Sequence, residues 1–440
     1  MTQTGRTAPG YVFVAPTPPR GQRPTGQFGP MIVDDSGEPV WFHPTRKGVV
    51  AQNLAVQRYD GRPVLTWWEG RILQGYGPGE FVVLDETYRE VVRVKAGNGY
   101  HADLHELILT DRGTAVLAIY DELVADLSAV GGPARGTLVD SLVQEVDVRD
   151  GSVPFEWKSR DHVAFEECYC TYPTTADPKL LDHFHINSID LDTDGDLLVS
   201  ARHTSAVYKL DRRTGEVVWR LGGKKSDFEL GPGARFGYQH DARRQPDGTI
   251  TIFDNAAWGS EKRIATESRV IALRLDTSAM RAELVSEYRH PDGLLAGAKG
   301  SAQVLPDGGV LVGWGNQPYY SEFAADGELR YDARFAAGAS TYRAYRFPWV
   351  GRPATKPAVA VESGDGGRLT VYASWNGATE IARWRVDAGL RPDALSPVRT
   401  VSRQGFETAV SLERGGGRYV SVAALDRAGA PLGTSRTIQI

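Results

Sequence analysis

Five times along the chain the same succession of polar and apolar positions returns. A polar opening leads into a short apolar run, a turn ending in glycine, and a second apolar run. The copies are NLAVQRYDGRPVLTW, HELILTDRGTAVLAIY, NSIDLDTDGDLLVSAR, HDARRQPDGTITIFD and GSAQVLPDGGVLVGW, with turn glycines at Gly61, Gly113, Gly195, Gly248 and Gly308. An Asp-Gly-type turn between two β-rich runs predicts a hairpin, because the turn needs positive φ. A second hairpin follows several copies, most clearly in KLDRRTGEVVWRLGG, with EVDVRDGSVPFEW, VVLDETYREVVRV and EFAADGELRYDARF resembling it. Two hairpins make a four-stranded antiparallel sheet, and repetition of that sheet predicts a β-propeller. Stacked sheets are covered on both faces, which fits the continuous apolar stretches TITIF and GVLVGW.

The ends of the repeat region differ. YVFVAP and MIVDDSGEPVWFHP near the start, and TYRAYRFPW near residue 345, have no hairpin copy of their own. They are expected to combine into one further sheet that closes the ring and so removes exposed edges. The expectation is an all-β chain with a six-bladed β-propeller over residues 1–352. RPATKPAV then reads as a linker. Short strands separated by Asn-Gly, Gly-Gly and Arg-Ala-Gly predict a small immunoglobulin- or fibronectin-like β-sandwich over residues 353–440, with Trp375 and Trp384 in its core. Two connections exceed what the repeat needs. Residues 121–140 are expected to hold a short helix, and residues 158–182 to shape the mouth of a site.

Composition narrows the function classes. The 440 residues carry 50 Lys+Arg against 55 Asp+Glu, a net charge of −5 without like-charge blocks. No basic stripe offers itself to nucleic acid, no polybasic segment to an anionic membrane, and no apolar run approaches the ~20 residues that span a bilayer. The start MTQTGRTAPG lacks the features of a secretory leader. The only cysteines, Cys168 and Cys170, are too close for an unstrained disulfide. Both points lead to an expectation of a cytoplasmic protein, or of a secreted one if a leader was removed. Asp192-Thr-Asp194-Gly195-Asp196 lacks the terminal Glu of a calcium loop and reads as a turn.

Candidate chemistry emerges when the copies are aligned on the turn glycine. Eight residues before it stand Asn53, His105, Asn187, His240 and Gly300. The first strand of each propeller sheet lines the central channel, so imidazoles and amides are expected at one height on the axis. Residues two apart share a strand face. His183, His185 and Asn187 are therefore expected to point one way, as are His101, Asp103 and His105. Arg202 closes the next strand, after the hairpin carrying His185 and Asn187. It suits an oxyanion, or alternatively an ion pair with Asp182 or Asp241.

The stretch HFHINSIDLDTDGDLLVSARHTSAVYKLDRRTGEVVWRLGG, with FGYQHDAR, GSAQVLPDGGVLVGWG and TYRAYRFPWVGRP, resembles the arylsulfotransferase family in its actinobacterial and fungal branch. The resemblance covers roughly residues 10–352. It implies a six-bladed propeller that moves a sulfuryl group from an aryl sulfate to a phenol through a transiently sulfated histidine. By motif, His240 resembles that nucleophile, while His185, Asn187, Arg202 and His105 resemble the groups that bind the sulfate oxygens. His183 and His101 are expected to orient the substrate or protonate the leaving phenol, and Asn53, Ser301 and Gln303 to contribute to substrate binding. The small aromatic substrate needs no cofactor and no metal. Two alternatives remain open at this point. One is a lyase, cyclase or isomerase that tailors natural products with the same histidines, by acid–base chemistry or with a metal held by His105, His183, His185 and His240. The other is a binding scaffold.

Overall fold

The computed structural model describes residues 1–19, 26–175, 178–259, 262–364, 368–413 and 417–440. The chain is almost entirely β. Among the described residues, helix is confined to one α-turn at Ser159–His162 and three 3₁₀ turns. Among the described residues no helix is long and apolar enough to cross a membrane.

Each of the five repeats builds one antiparallel meander. The first runs through Val50–Tyr59, Arg62–Gly70, Gly79–Leu84 and Glu90–Val94. The next four begin with the strands Leu107–Leu109, Ile186–Leu191, His240–Arg244 and Ser301–Val304. The five repeat glycines all sit at positive φ, between 74° and 89°. A further sheet orders Ala344–Phe347, Tyr11–Val14, Met31–Val33 and Pro39–Phe42, so strands from both ends of the repeat region share it. First strands touch in succession, and Ala344–Phe347 touches Val50–Tyr59, completing a circuit.

Packing between sheets explains the blurred alternation. In the sheet beginning at Ile186, Leu197 and Val199 enter the core shared with the preceding sheet, while Leu198 and Val207 enter the core shared with the following one. Successive side chains point to opposite faces, and here both faces are covered, so consecutive residues are all apolar. Burying each such side chain contributes roughly 1.5–3 kcal/mol.

The short helix expected within residues 121–140 is the 3₁₀ turn Ser128–Val130. Thr114–Ala125 pairs with Gly136–Asp147 over their full lengths in a long hairpin, whose tip carries that turn. Two expectations need correction. Cys168 and Cys170 are joined as a disulfide, with Cα atoms 5.1 Å apart. Their usage therefore no longer argues for a reducing compartment. Finally, His183, His185 and Asn187 do not share one face, for a backbone reason given below. The Asp192–Asp196 segment is a turn, as expected, and the Lys209 ammonium reaches all three of its carboxylates.

After residue 357 two further sheets face each other. One orders Ala358–Ser363, Arg368–Ser374 and Glu407–Glu413. The other is built on Arg383–Arg391 and Tyr419–Leu425. Val371, Val410, Val386 and Val422 fill the space between them with the buried Trp384, and Trp375 packs half-buried at its margin. Residues 365–367 and 414–416, where Gly-Gly separators were expected, lie outside the described residues. Tyr88 and Asn376 tie these sheets to the ring: the Tyr88 hydroxyl donates to the Gly377 carbonyl at 2.8 Å, and Asn376 exchanges two hydrogen bonds with the Phe42 backbone.

Candidate active site

The inner strands are irregular where the histidines sit. Pairing shifts register between Gln52 and Ala55, between Ile186 and Ser188, and between His240 and Arg243. Such bulges re-aim side chains and cluster near functional sites. Asn53, His185 and Asp241 have φ of 60°, 56° and 54°. Positive φ at His185 breaks the period of two, so His183 and His185 diverge.

His105 and His185 lie side by side, their ring centroids 5.3 Å apart at nearly right angles. Each has Nδ1 on a buried carboxylate: His105 on Asp103, and His185 on Asp182 at 2.5 Å. Burial pushes His185 down to about 3, against the pull of Asp182. Burial would raise the Asp182 carboxyl, but His185 and His203 hold it well below the usual range. The carboxylates can only accept, so both rings carry the proton on Nδ1 and leave Nε2 bare.

His240 is fixed differently. The Asn255 amide donates to the carbonyls of Ala296 and Lys299 at 2.8 and 2.9 Å, which turns its Oδ1 toward His240 Nδ1 at 2.7 Å. His240 Nε2 accepts the Lys299 backbone N–H at 3.2 Å. Burial first, then Arg202, holds this imidazole well below the ordinary histidine range, so it is neutral near pH 7. Tyr342 stands between the two groups, 5.4 Å from the His105 ring and 6.4 Å from the His240 ring.

Arg202 is buried, and burial lowers it to about 10. Its Nη2 donates to the Gly297 carbonyl at 2.5 Å, its guanidinium stacks over Trp258, and its Nε has no partner. Among the described residues it forms no ion pair. Asp182 is taken by His185 and His203, and Asp241 by Arg243 and Arg343. A buried cation without a counter-ion is costly, and an incoming anion relieves that cost. His185, Arg202, Asp182, His203 and Trp258 line a cavity of about 340 Å³.

The other candidates are placed elsewhere. Asn187 is buried and donates to the Gln239 carbonyl at 2.7 Å, while its backbone carbonyl accepts from Tyr342 and Arg343. Asn53 bonds the His105 carbonyl and Arg343. Ser301 bonds the Ala344 backbone and Gln303 the Arg346 backbone, clasping the sheet that closes the circuit. His101 is exposed. His183 is buried against Phe165 and Phe184 with both ring nitrogens unpartnered, and burial lowers it to about 4. His105, His183, His185 and His240 therefore do not converge as one metal cage. Among the described residues, the group with metal-like spacing is Asp182, His185 and His203, whose ligand atoms lie within 4.8 Å of one another. Both Nδ1 atoms there already bond Asp182, and Arg202 lines the same cavity, a setting that suits an anion better than a second cation.

The sequence reading left out His203, Asp182 as an orienting group, Trp258, Asn255 and Lys299. The signals available were the Asp-x-His and Asp-x-x-His spacings before His105 and His185, and the adjacency of His203 to Arg202. Asn255 and Lys299 carried none, since their roles depend on contacts with the strand opened by His240.

Residues 55–336 match the family model for arylsulfotransferase (ASST). The chain belongs to the arylsulfotransferase family. No curated protein matches this arylsulfotransferase-family chain significantly in sequence. Among solved structures, it is similar to a protein of unknown function from Bacteroides caccae, with 14% identity, 77% of this chain and 98% of the other covered, and a TM-score of 0.46. It is also similar to a catalytically inactive virginiamycin B lyase from Staphylococcus aureus with quinupristin (10% identity, 86% and 96% covered, TM-score 0.38). A streptogramin B lyase gives 12% identity, 84% and 93% covered, and a TM-score of 0.38.

Proposed function

We propose that this arylsulfotransferase-family protein moves a sulfuryl group from an aryl sulfate to a phenol through a sulfated His240, at one end of the channel of a six-bladed β-propeller. Residues 1–352 form the propeller in this reading, and residues 353–440 a separate immunoglobulin- or fibronectin-like sandwich. The observation that carries the chemistry is Arg202, a buried guanidinium without a counter-ion, facing the same cavity as an imidazole whose Nε2 is bare.

Sulfuryl transfer resembles phosphoryl transfer, with a loose transition state and charge on three equatorial oxygens. It needs positioned donors rather than a cofactor. His240 is neutral and its Nδ1 proton is pinned by Asn255, so the Nε2 lone pair is the nucleophile. Attack frees the Lys299 N–H, which then turns to a sulfate oxygen. Arg202 supplies the fixed positive charge. The carboxylates on their Nδ1 atoms hold the His105 and His185 rings in fixed orientations. Tyr76, which lines the cavity and stacks on Tyr120 at 4.9 Å, offers its other face to an aryl ring.

The test is intact mass after incubation with an aryl sulfate. The wild-type chain is expected to gain the mass of one SO₃ group and release phenol, and His240→Ala to do neither. A wild-type chain that stays unmodified while phenol is released refutes the covalent route. No phenol release at all refutes the function.

A further inference from the structure

The transfer needs a group to take the proton of the incoming phenol, and none of the residues given roles above does so. We propose that His203 is that base; the inference rests on the sulfuryl-transfer reading. His203 is buried and stacked between His185, at 4.5 Å, and Trp258, at 4.1 Å. Its Nδ1 lies 2.6 Å from the Asp182 carbonyl oxygen. A carbonyl can only accept, so Nδ1 carries the proton and Nε2 holds the lone pair. That Nε2 has no hydrogen-bond partner, and His203 lines the same cavity as Arg202 and His185. The backbone is pinned on both sides: the His203 N–H donates to the Phe184 carbonyl at 3.1 Å, and its carbonyl accepts from Tyr169 at 2.8 Å. A ring needed only for stacking would gain nothing from a partnerless buried nitrogen, which costs stability. His183, a second buried imidazole with partnerless nitrogens, does not line this cavity.

In the step, the phenol oxygen bonds to sulfur as the bond between sulfur and His240 Nε2 breaks, and its electron pair returns to the imidazole. The phenol proton passes to His203 Nε2. The resulting imidazolium is steadied by the Asp182 carboxylate, whose Oδ1 lies 3.6 Å from Nδ1. In the next cycle it returns the proton to the phenolate leaving from the donor, so charge and protons balance over two half-reactions.

The experiment follows the half-reactions separately in the full chain, with 4-nitrophenyl sulfate as donor and either 4-cyanophenol or unsubstituted phenol as acceptor. In His203→Phe and His203→Gln, sulfation of the enzyme is expected to stay near the wild-type rate, because 4-nitrophenolate leaves without an acid. Transfer to unsubstituted phenol is expected to fall about 10²–10⁴-fold, and transfer to the more acidic 4-cyanophenol by far less. In His203→Ala, added imidazole is expected to restore part of the transfer to phenol. Equal rates in variants and wild type for every acceptor overturn the role of His203. So does an equal loss in both half-reactions without rescue by imidazole, which marks a structural part. A wild-type chain that never gains SO₃ overturns the function itself, and this inference with it.

Discussion

Two histidines separated by one residue show how much a single backbone angle decides. His183 and His185 were expected on one strand face, and a φ of 56° at His185 sends their rings to different surroundings. His185 reaches the cavity on the carboxylate of Asp182, whereas His183 is buried among phenylalanines with both nitrogens unpartnered. Burial lowers His183 from 6.5 to about 4, so it is neutral in the folded state and takes up a proton more readily when unfolded. Its contribution is present above the unfolded value and is lost as pH falls from there toward 4, a window worth on the order of 3 kcal/mol. His183→Leu is expected to remove about 2 kcal/mol of the stability lost between about pH 7 and about pH 5, measured by urea unfolding at both, and to leave phenol release unchanged. A variant as acid-labile as the wild type would show that the His183 ring is not the proton acceptor.

Hairpins were legible wherever glycine met an acidic or basic neighbour between apolar runs, because the turn chemistry is local. The register shifts in the inner strands were not, because a bulge depends on the partner strand. The long hairpin from Thr114 to Asp147 was obscured by its glycine-rich tip, although its strands pair for twelve residues each. Of the residues matched at the offset before the turn glycine, the amides Asn53 and Asn187 bond backbone carbonyls, and His105 and His240 stand beside Tyr342. One residue further along lie Glu106 and Asp241, which hold Arg343, the residue just before the strand that closes the circuit. Both nitrogens of the Arg343 fork donate to the Glu106 carboxylate at 3.0 Å. Breaking such a buried pair by removing one partner costs about 3–5 kcal/mol. Arg343→Met is expected to lose that much in denaturant titration, and Glu106→Leu with Arg343→Met to recover most of it. A single variant as stable as the wild type would mean that Arg243, already on the same carboxylate at 2.5 Å, compensates it alone.

At the scale of the molecule, the repeat announced a set of similar sheets, and the change of composition after residue 352 announced the two sheets that follow residue 357. Their seam was illegible, since it rests on Tyr88, Asn376 and Trp349, which are far apart in sequence. A chain ending at residue 352 is expected to keep aryl sulfate turnover and to melt several degrees lower, because it bares Tyr88 and the Phe42 backbone. Loss of turnover in a folded truncation, judged by circular dichroism, would give the C-terminal unit a part in the site. The sheet drawing on both ends of the repeat region also sets an order of assembly. Tyr11–Val14 leaves the ribosome early and waits for Ala344–Phe347, its partner strand. Until more than three hundred residues of intervening chain have been made, the edge of Tyr11–Val14 opposite its pairing with Met31–Val33 stays open to the cell. Chaperone demand during synthesis should therefore end abruptly, once that last inner strand emerges and seals the molecule against its neighbours.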